Sequence, residues 1–296
     1  MTGFNLDHLG IAVADLDAAA AQYRRLGFQL TSRGYHTLPP PAPGAERPLV
    51  GTGNNCAMLR RGYLELIGVT DPTYEGRLRG DIARYQGLHI IAFGTGDAAT
   101  AAEALRVGGV AVDGPRILER PIEEQGQTRL ARFEIVDFPE EALPEGHFFV
   151  IRHATPDLLW KPALLAHPNG ALALDALTVA VAEPDDFARR LGHLLSVTPR
   201  AEDGLVLELA PGRVQVVGAD WLAARVPGAA PALPYIAGIG LRAADLGRTA
   251  ALLAANGVAY RHESDSIMIG PEQACGAFLE FRTKPAADRL VAENQG

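Results

Sequence analysis

Residues 6–28 read LDHLGIAVADLDAAAAQYRRLGF, and the pattern of this stretch recurs along the chain. A strand-like run from Leu6 to Val13 leads to Asp15 and Asp17, either of which can cap a helix. An Ala-rich segment then runs to Gly27, an ordinary helix stop. Residues 174–195, LDALTVAVAEPDDFARRLGHLL, open in the same way, with Ala176 where His8 stood. Residues 87–110 (GLHIIAFGTGDAATAAEALRVGGV) and 236–258 (IAGIGLRAADLGRTAALLAANGV) again give strand, Asp cap, Ala-rich helix and Gly stop. Further strand-like stretches follow each helix. The last of each set has a shared form: GYLELIG (62–68), GHFFVIRH (146–153), GRVQVVG (212–218) and GAFLEF (276–281). Each unit therefore reads β-α-β-β-β, and there are four.

A four-stranded sheet with one helix cannot cover both of its faces. Pairing two units lets the sheets curve into an incomplete barrel, with helices outside and a cavity within. The expected fold class is α+β, with four βαβββ modules in two such barrels. The first domain is expected over 1–153, with modules at about 5–70 and 86–153. Residues 154–171 (ATPDLLWKPALLAHPNGA) read as a structured connector, and 172–296 as a second domain. A Pro-rich stretch inside the first unit, TLPPPAPGAERP (37–48), is expected to be an insertion over one end of the barrel.

The formal net charge of −8 over 296 residues argues against nucleic acid or an anionic membrane as partner, since both are bound by basic patches. No stretch reaches the ~18 apolar residues of a membrane span, and the N-terminal residues do not read as a signal peptide. Cys56 and Cys275 each fall inside an expected strand, which points to small buried hydrophobes and a reducing cytoplasm rather than a disulfide. The expected partner is a small-molecule substrate. Because one chain supplies both halves of each barrel, a monomer or a homodimer satisfies the fold.

Strand alternation puts Leu9, Ile11 and Val13 on one face of the first strand and His8 among small residues on the other. His89 stands at the comparable point of the second unit, and Tyr63, Glu65 and Ile67 share a face of the strand that ends the first unit. A carboxylate inside an apolar strand needs a cation, a metal or a proton. Two imidazoles and one carboxylate pointing inward suit Fe, Mn, Zn or Ni, with positions left for water and substrate.

LDHLGIAV, GYLELIG and GLHIIAF together resemble the vicinal oxygen chelate superfamily, which includes glyoxalase I, extradiol dioxygenases and bleomycin-binding proteins. The connector is similar to that of tandem glyoxalase-like proteins. The resemblance covers nearly the whole chain and implies a divalent metal on His8, Glu65 and His89. The chain departs from the pattern at 149–153, where Phe149, Val150, Ile151, Arg152 and His153 offer no acid. In one strand register Arg152 meets an anionic substrate. In another, His153 serves as a fourth ligand or as acid and base. Tyr63 is expected against substrate. Ala176, Ala237 and Gln215 leave the second domain without an equivalent donor set.

These features imply a metal-dependent glyoxalase- or dioxygenase-like enzyme acting on a substrate with two neighbouring oxygens. The alternative is a non-catalytic protein that sequesters a small molecule in the same barrel without metal. His167 reads as part of a turn, His36 and Tyr35 as loop surface, and Trp160 as interdomain packing.

Overall fold

The computed structural model describes residues 3–42, 44–124, 126–226 and 231–283. Unit one comprises β1 (Asn5–Val13), α1 (Leu16–Arg25), β2 (Gly34–Thr37), β3 (Leu49–Met58) and β4 (Tyr63–Val69). A short helix, α2 (Arg77–Arg84), leads into unit two: β5 (Gly87–Gly94), α3 (Ala98–Val107), β6 (Asp113–Glu124), β7 (Gln127–Asp137) and β8 (His147–His153). Two 3-10 turns, Pro156–Leu158 and Pro162–Leu164, shape the connector. Unit three comprises β9 (Ala171–Ala180), α4 (Pro184–Leu195), β10 (Arg200–Glu202), β11 (Gly204–Leu209) and β12 (Gly212–Val217). After α5 (Ala219–Arg225) comes unit four: β13 (Tyr235–Ala243), α6 (Leu246–Ala255), β14 (Arg261–His262), β15 (Ser266–Ile269) and β16 (Phe278–Arg282). The helices α2 and α5, at the same point after units one and three, were not expected from sequence.

The expected caps form in three units. Asp15 accepts from the amides of Asp17 and Ala18 at 2.9 Å each, Asp97 from Thr100 at 2.7 Å and Asp245 from Arg248 at 2.9 Å. In α4 no side chain caps the start, and Pro184, whose ring pre-sets the helical φ, opens the helix instead.

In every unit the first strand runs parallel to the last: β1 with β4, β5 with β8, β9 with β12 and β13 with β16. First strands of paired units run antiparallel, β1 with β5 and β9 with β13. Each pair of units thus forms an eight-stranded curved sheet. The two halves join through β5 and β13 into a 16-stranded sheet that does not close. Four βαβββ modules in two incomplete barrels are the architecture of the chain. The main core lies between the sheet and the helices. Leu9, Ile11 and Tyr23 belong to it in the first unit, Phe93 and Leu105 in the second, Leu177 and Phe187 in the third, and Ile239 and Leu253 in the fourth.

Units one and three are also stitched together by matching bonds. The amide of Leu174 donates to the carbonyl of Arg61 at 3.0 Å, and the amide of Leu6 donates to the carbonyl of Pro211 at 3.1 Å. The glycine that opens the last strand lies at these crossings. Gly62 has φ +74 and Gly212 φ +106. A Cβ at Gly62 would meet the Asp7 carbonyl at 2.6 Å and Leu174 Cβ at 3.0 Å. The repeated glycine is therefore required by both backbone hand and space. Gly62→Ala is expected to destabilise the protein by about 1–3 kcal/mol; chemical denaturation of the two proteins checks this. Among the described residues, no helix is long and apolar enough to cross a membrane.

Candidate active site

The site is built by β-bulges in the first strands. In the β1–β5 ladder, Leu6 pairs with Phe93 and His8 with Ala92, so Asp7 is the extra residue. On the other strand, Gly10 pairs with Ile90 and Ile11 with Leu88, so His89 is extra. The same holds for Asp175 of β9 and Ala237 of β13. A bulge inserts one residue and re-aims its neighbours. The four equivalent bulge residues are thus Asp7, His89, Asp175 and Ala237, and the residues that follow them are His8, Ile90, Ala176 and Gly238. The parallel ladders agree: His8 pairs with Tyr63, Ile90 with His147, Ala176 with Arg213 and Gly238 with Phe278. Two residues further along the last strands stand Glu65, Phe149, Gln215 and Glu280.

This register corrects the expectation that His8 and His89 occupy the same point of the repeat. His89 matches Asp7, and Ile90 matches His8. The His89 ring is fully buried and stacks on Tyr85 with centroids 4.1 Å apart. Its Nε2 lies 2.8 Å from the Tyr85 carbonyl and its Nδ1 3.8 Å from Asp81 Oδ1. Burial pushes its pKa down. His89 does not line the cavity that holds His8 and Glu65.

That cavity, of about 340 Å³, lies inside the first barrel. One part of its wall is polar: His8 from β1, His36 from β2, Thr52 and Asn54 from β3, and Glu65 from β4. Facing it are Ile90, Leu118, Phe133, Ile135, Phe149 and Ile151 of the second unit. The short helix α2 adds Arg77, Leu78 and Asp81. His8 is 3 % exposed, and its Nδ1 lies 2.8 Å from Asp7 Oδ1. Its ring stacks on Tyr63 with centroids 4.2 Å apart. Tyr63 lines the cavity too, and burial, helped by Asp7 and Glu65, pushes its phenol well above the ordinary range.

His36 is buried at the cavity, not on the loop surface expected for it. Its Nδ1 lies 2.7 Å from Thr52 Oγ1, and its Nε2 lies 3.7 Å from Glu65 Oε1. The Glu65 oxygen also accepts from Asn54 Nδ2 at 2.6 Å. Burial alone would raise the Glu65 pKa. The bond and charge of His36, with His8 and Asn54, overcome that and lower it to about 2. Sequence reasoning missed His36 because β2 is only four residues long and precedes a Pro-rich stretch. The available signal was its alternation with Tyr35 and Thr37, which flank it on the opposite face.

His153 reaches the site through Asp7. Its Nε2 lies 2.9 Å from the same Asp7 Oδ1 that His8 uses, while its Nδ1 is buried with no hydrogen-bond partner. Phe133 and Trp160 pack edge-on against its ring. Burial would raise the Asp7 pKa, but the bonds from His153 and His8 outweigh it and hold this carboxyl far below the usual carboxylate range. Among the described residues, Asp7, His8 and His153 form the one group that gathers three ligand atoms within 4.8 Å. Of these, only His8 lines the cavity.

On β8, residues 147, 149 and 151 face the cavity and Arg152 faces away. Its Nη1 donates to Glu134 at 2.6 Å and its Nε to the Gly96 carbonyl at 3.1 Å. Arg152 therefore does not reach a cavity ligand. His167 uses both ring nitrogens structurally, with Nδ1 accepting from the Gln29 amide at 3.0 Å and Nε2 2.8 Å from the Met58 carbonyl. Trp160 donates to the Leu59 carbonyl at 3.0 Å, fastening the connector to the first barrel.

In the second barrel, Ala176, Gly238 and Gln215 fill the equivalent positions, and Glu280 is occupied by Arg282, by Ser266 at 3.1 Å and by Arg225 at 3.3 Å. The bulge residue Asp175 pairs with Arg61 of the first unit, tying the two halves together.

Two imidazoles and a carboxylate on one cavity wall fit a divalent metal by donor type. The Nδ1 of His8 faces Asp7 and that of His36 faces Thr52. Such oxygen partners orient metal-ligating imidazoles and leave Nε2 for the ion.

Residues 6–195 match the profile of the glyoxalase-like domain. No curated protein matches the chain. Among solved structures, a hypothetical protein from Staphylococcus aureus is 15 % identical, with 94 % of this chain and 99 % of that one covered and a TM-score of 0.67. A mutant 4-hydroxymandelate synthase from Streptomyces coelicolor is 14 % identical over 95 % of this chain and 92 % of that one, with a TM-score of 0.55. A fusion of a xylose isomerase-like TIM barrel with 4-hydroxyphenylpyruvate dioxygenase is 12 % identical, covering 98 % of this chain and 52 % of that one, with a TM-score of 0.59. At such identities the likeness is one of fold. With four βαβββ units in its fold and the family profile spanning well over half its length, the chain belongs to the glyoxalase-like domain family of the vicinal oxygen chelate superfamily.

Proposed function

We propose that the chain is a metal-dependent enzyme of the glyoxalase or dioxygenase type, acting on a small substrate in the first barrel. The observation that carries this reading is the donor set on one wall: His8, His36 and Glu65, each imidazole with its Nδ1 engaged by a side-chain oxygen. In this reading His36 takes the part assigned to His89 from sequence. A divalent ion held there would be chelated by two neighbouring substrate oxygens and would supply Lewis-acid stabilisation of negative charge developing on one of them. Among the described residues, the His8, His36 and Glu65 donors do not all lie within 4.8 Å of one another.

The protein's own residues do the rest. Asp7 orients His8, and Tyr63 holds the ring flat. Phe133, Phe149 and Ile90 exclude water from the facing wall, which strengthens every charge interaction inside. His153 acts on Asp7 and is a positioning residue, not a group that meets substrate.

A second reading, sequestration without metal, draws support from Ile90 and Phe149. They put apolar side chains at the unit-two positions equivalent to His8 and Glu65, and Glu65 is already satisfied by Asn54. Elemental analysis of protein purified without chelators separates the two. About one equivalent of Fe, Mn, Zn or Ni is expected for the enzyme. A protein free of metal, whose melting temperature does not respond to added metal, would favour sequestration. Loss of the metal in His36→Ala with retention in His153→Ala is expected. The reverse would move the ion to the Asp7, His8 and His153 group.

A further inference from the structure

Three arginines line the first-barrel cavity: Arg77, Arg116 and Arg120. Two of them are committed to acids of the protein. Arg77 lies 3.6 Å from Asp81 and 3.7 Å from Glu140. Arg116 forks onto Asp137, with Nε at 2.6 Å and Nη2 at 3.2 Å. Arg120 is different. Its Nη1 donates to the carbonyls of Thr37 at 3.5 Å and Glu119 at 3.3 Å, both long bonds. Its Nε and Nη2, the edge that would fork onto a carboxylate, make no hydrogen bond to the described residues. The neighbouring Glu119 side chain is taken by Arg132 at 2.9 Å and Arg47 at 3.2 Å. Glu65 is the acid whose charge reaches Arg120 most strongly, yet it forms no ion pair with it and is held by Asn54.

A half-buried guanidinium with no ion pair to any described residue is costly to keep in a largely apolar pocket. Its planar fork matches two oxygens of one anionic group and forms charge-assisted bonds about twice as strong as neutral ones. The apolar wall of Leu118, Phe133 and Ile135 beside it would take the body of an organic molecule.

We propose that the ligand of this barrel is a small organic acid whose oxyanion group is received by the free edge of Arg120, making Arg120 the specificity-determining residue of the cavity. The proposal rests on the reading of this cavity as the ligand site, but not on a metal in it. Arg120 lies on β6 of unit two, apart from the donor set of unit one. It takes the role that sequence reasoning gave to Arg152.

The test uses the full chain, stripped of metal with a chelator that is then removed, in low salt. Calorimetric titrations are run with malonate, with methylphosphonate and with the neutral malonamide. Wild type is expected to bind malonate or methylphosphonate and not malonamide, and the better of the two identifies carboxylate or phosphonate as the group. Arg120→Gln is expected to weaken that binding by at least about tenfold, with Arg120→Lys recovering part of it because charge returns without the fork. The circular dichroism spectrum of Arg120→Gln is expected to match that of wild type, which reports an intact fold. Wild type that binds neither anion, wild type that prefers malonamide, or Arg120→Gln that binds the anion as tightly as wild type would each overturn the proposal. His8→Ala that loses Zn²⁺ and still binds the anion leaves it standing, whereas Zn²⁺ binding without anion binding overturns it and spares the metal reading.

Discussion

Substitution of His8 by alanine is expected to lower the affinity of the protein for Zn²⁺ or Ni²⁺ by at least about 100-fold and to abolish turnover. Losing a group that only orients a metal-bound imidazole costs about 10–100-fold in affinity. Losing the imidazole itself costs at least the upper end of that range. His8 faces the cavity with Nδ1 held by Asp7 and its plane stacked on Tyr63, so no neighbour can take its place. His89→Ala makes the discriminating control. It removes a buried ring bonded to the Tyr85 carbonyl, so stability falls, but metal affinity is expected to be unchanged. Calorimetric metal titration of both variants, with thermal melts, decides the matter. Wild-type metal affinity in His8→Ala, or its collapse in a folded His89→Ala, would contradict the assignment.

Asp7→Asn is expected to cost about 3 kcal/mol of stability in metal-free protein at neutral pH. It removes the charge that accepts from both His8 and His153 on a single buried oxygen. Asparagine keeps the shape but offers one neutral acceptor, and its amide meets imidazoles that are themselves donors. The sign with pH follows from the depressed carboxyl of Asp7, whose ordinary value is 3.8. A carboxyl with a lowered folded-state pKa contributes its full stability above the unfolded value and loses it as pH falls toward the folded one. Denaturation curves of wild type and Asp7→Asn are therefore expected to differ most above the ordinary carboxylate range and to draw together progressively from about pH 4 into strong acid. A gap that stays constant into strong acid would show that the Asp7 charge is not held by the two histidines. The same variant is expected to bind metal about 10–100-fold more weakly, because the His8 ring loses its orienting partner.

The repeat was legible because its signals are local. An Asp cap, an Ala-rich helix, a Gly stop and a strand opened by Gly are each decided by a few neighbouring residues, and four copies in one chain set the architecture. The inward placement of His8, Tyr63 and Glu65 was likewise readable, since β4 and the part of β1 that follows its bulge alternate regularly. Sequence periodicity could not carry the reading further. A bulge adds one residue without leaving a mark in the pattern, so the histidines of LDH (6–8) and GLH (87–89) align in sequence while the ladder offsets them by one. That offset takes His89 out of the cavity, sets Ile90 at the position equivalent to His8, and turns Asp7 from a face it would not share with His8 into that residue's partner. His36 and Arg120 became visible only when β2 and β6, which are remote in the chain, closed the same barrel. The local pattern of this protein determined which elements form and how many times. Pairing register, which depends on hydrogen bonds between distant strands, decided which side chains meet.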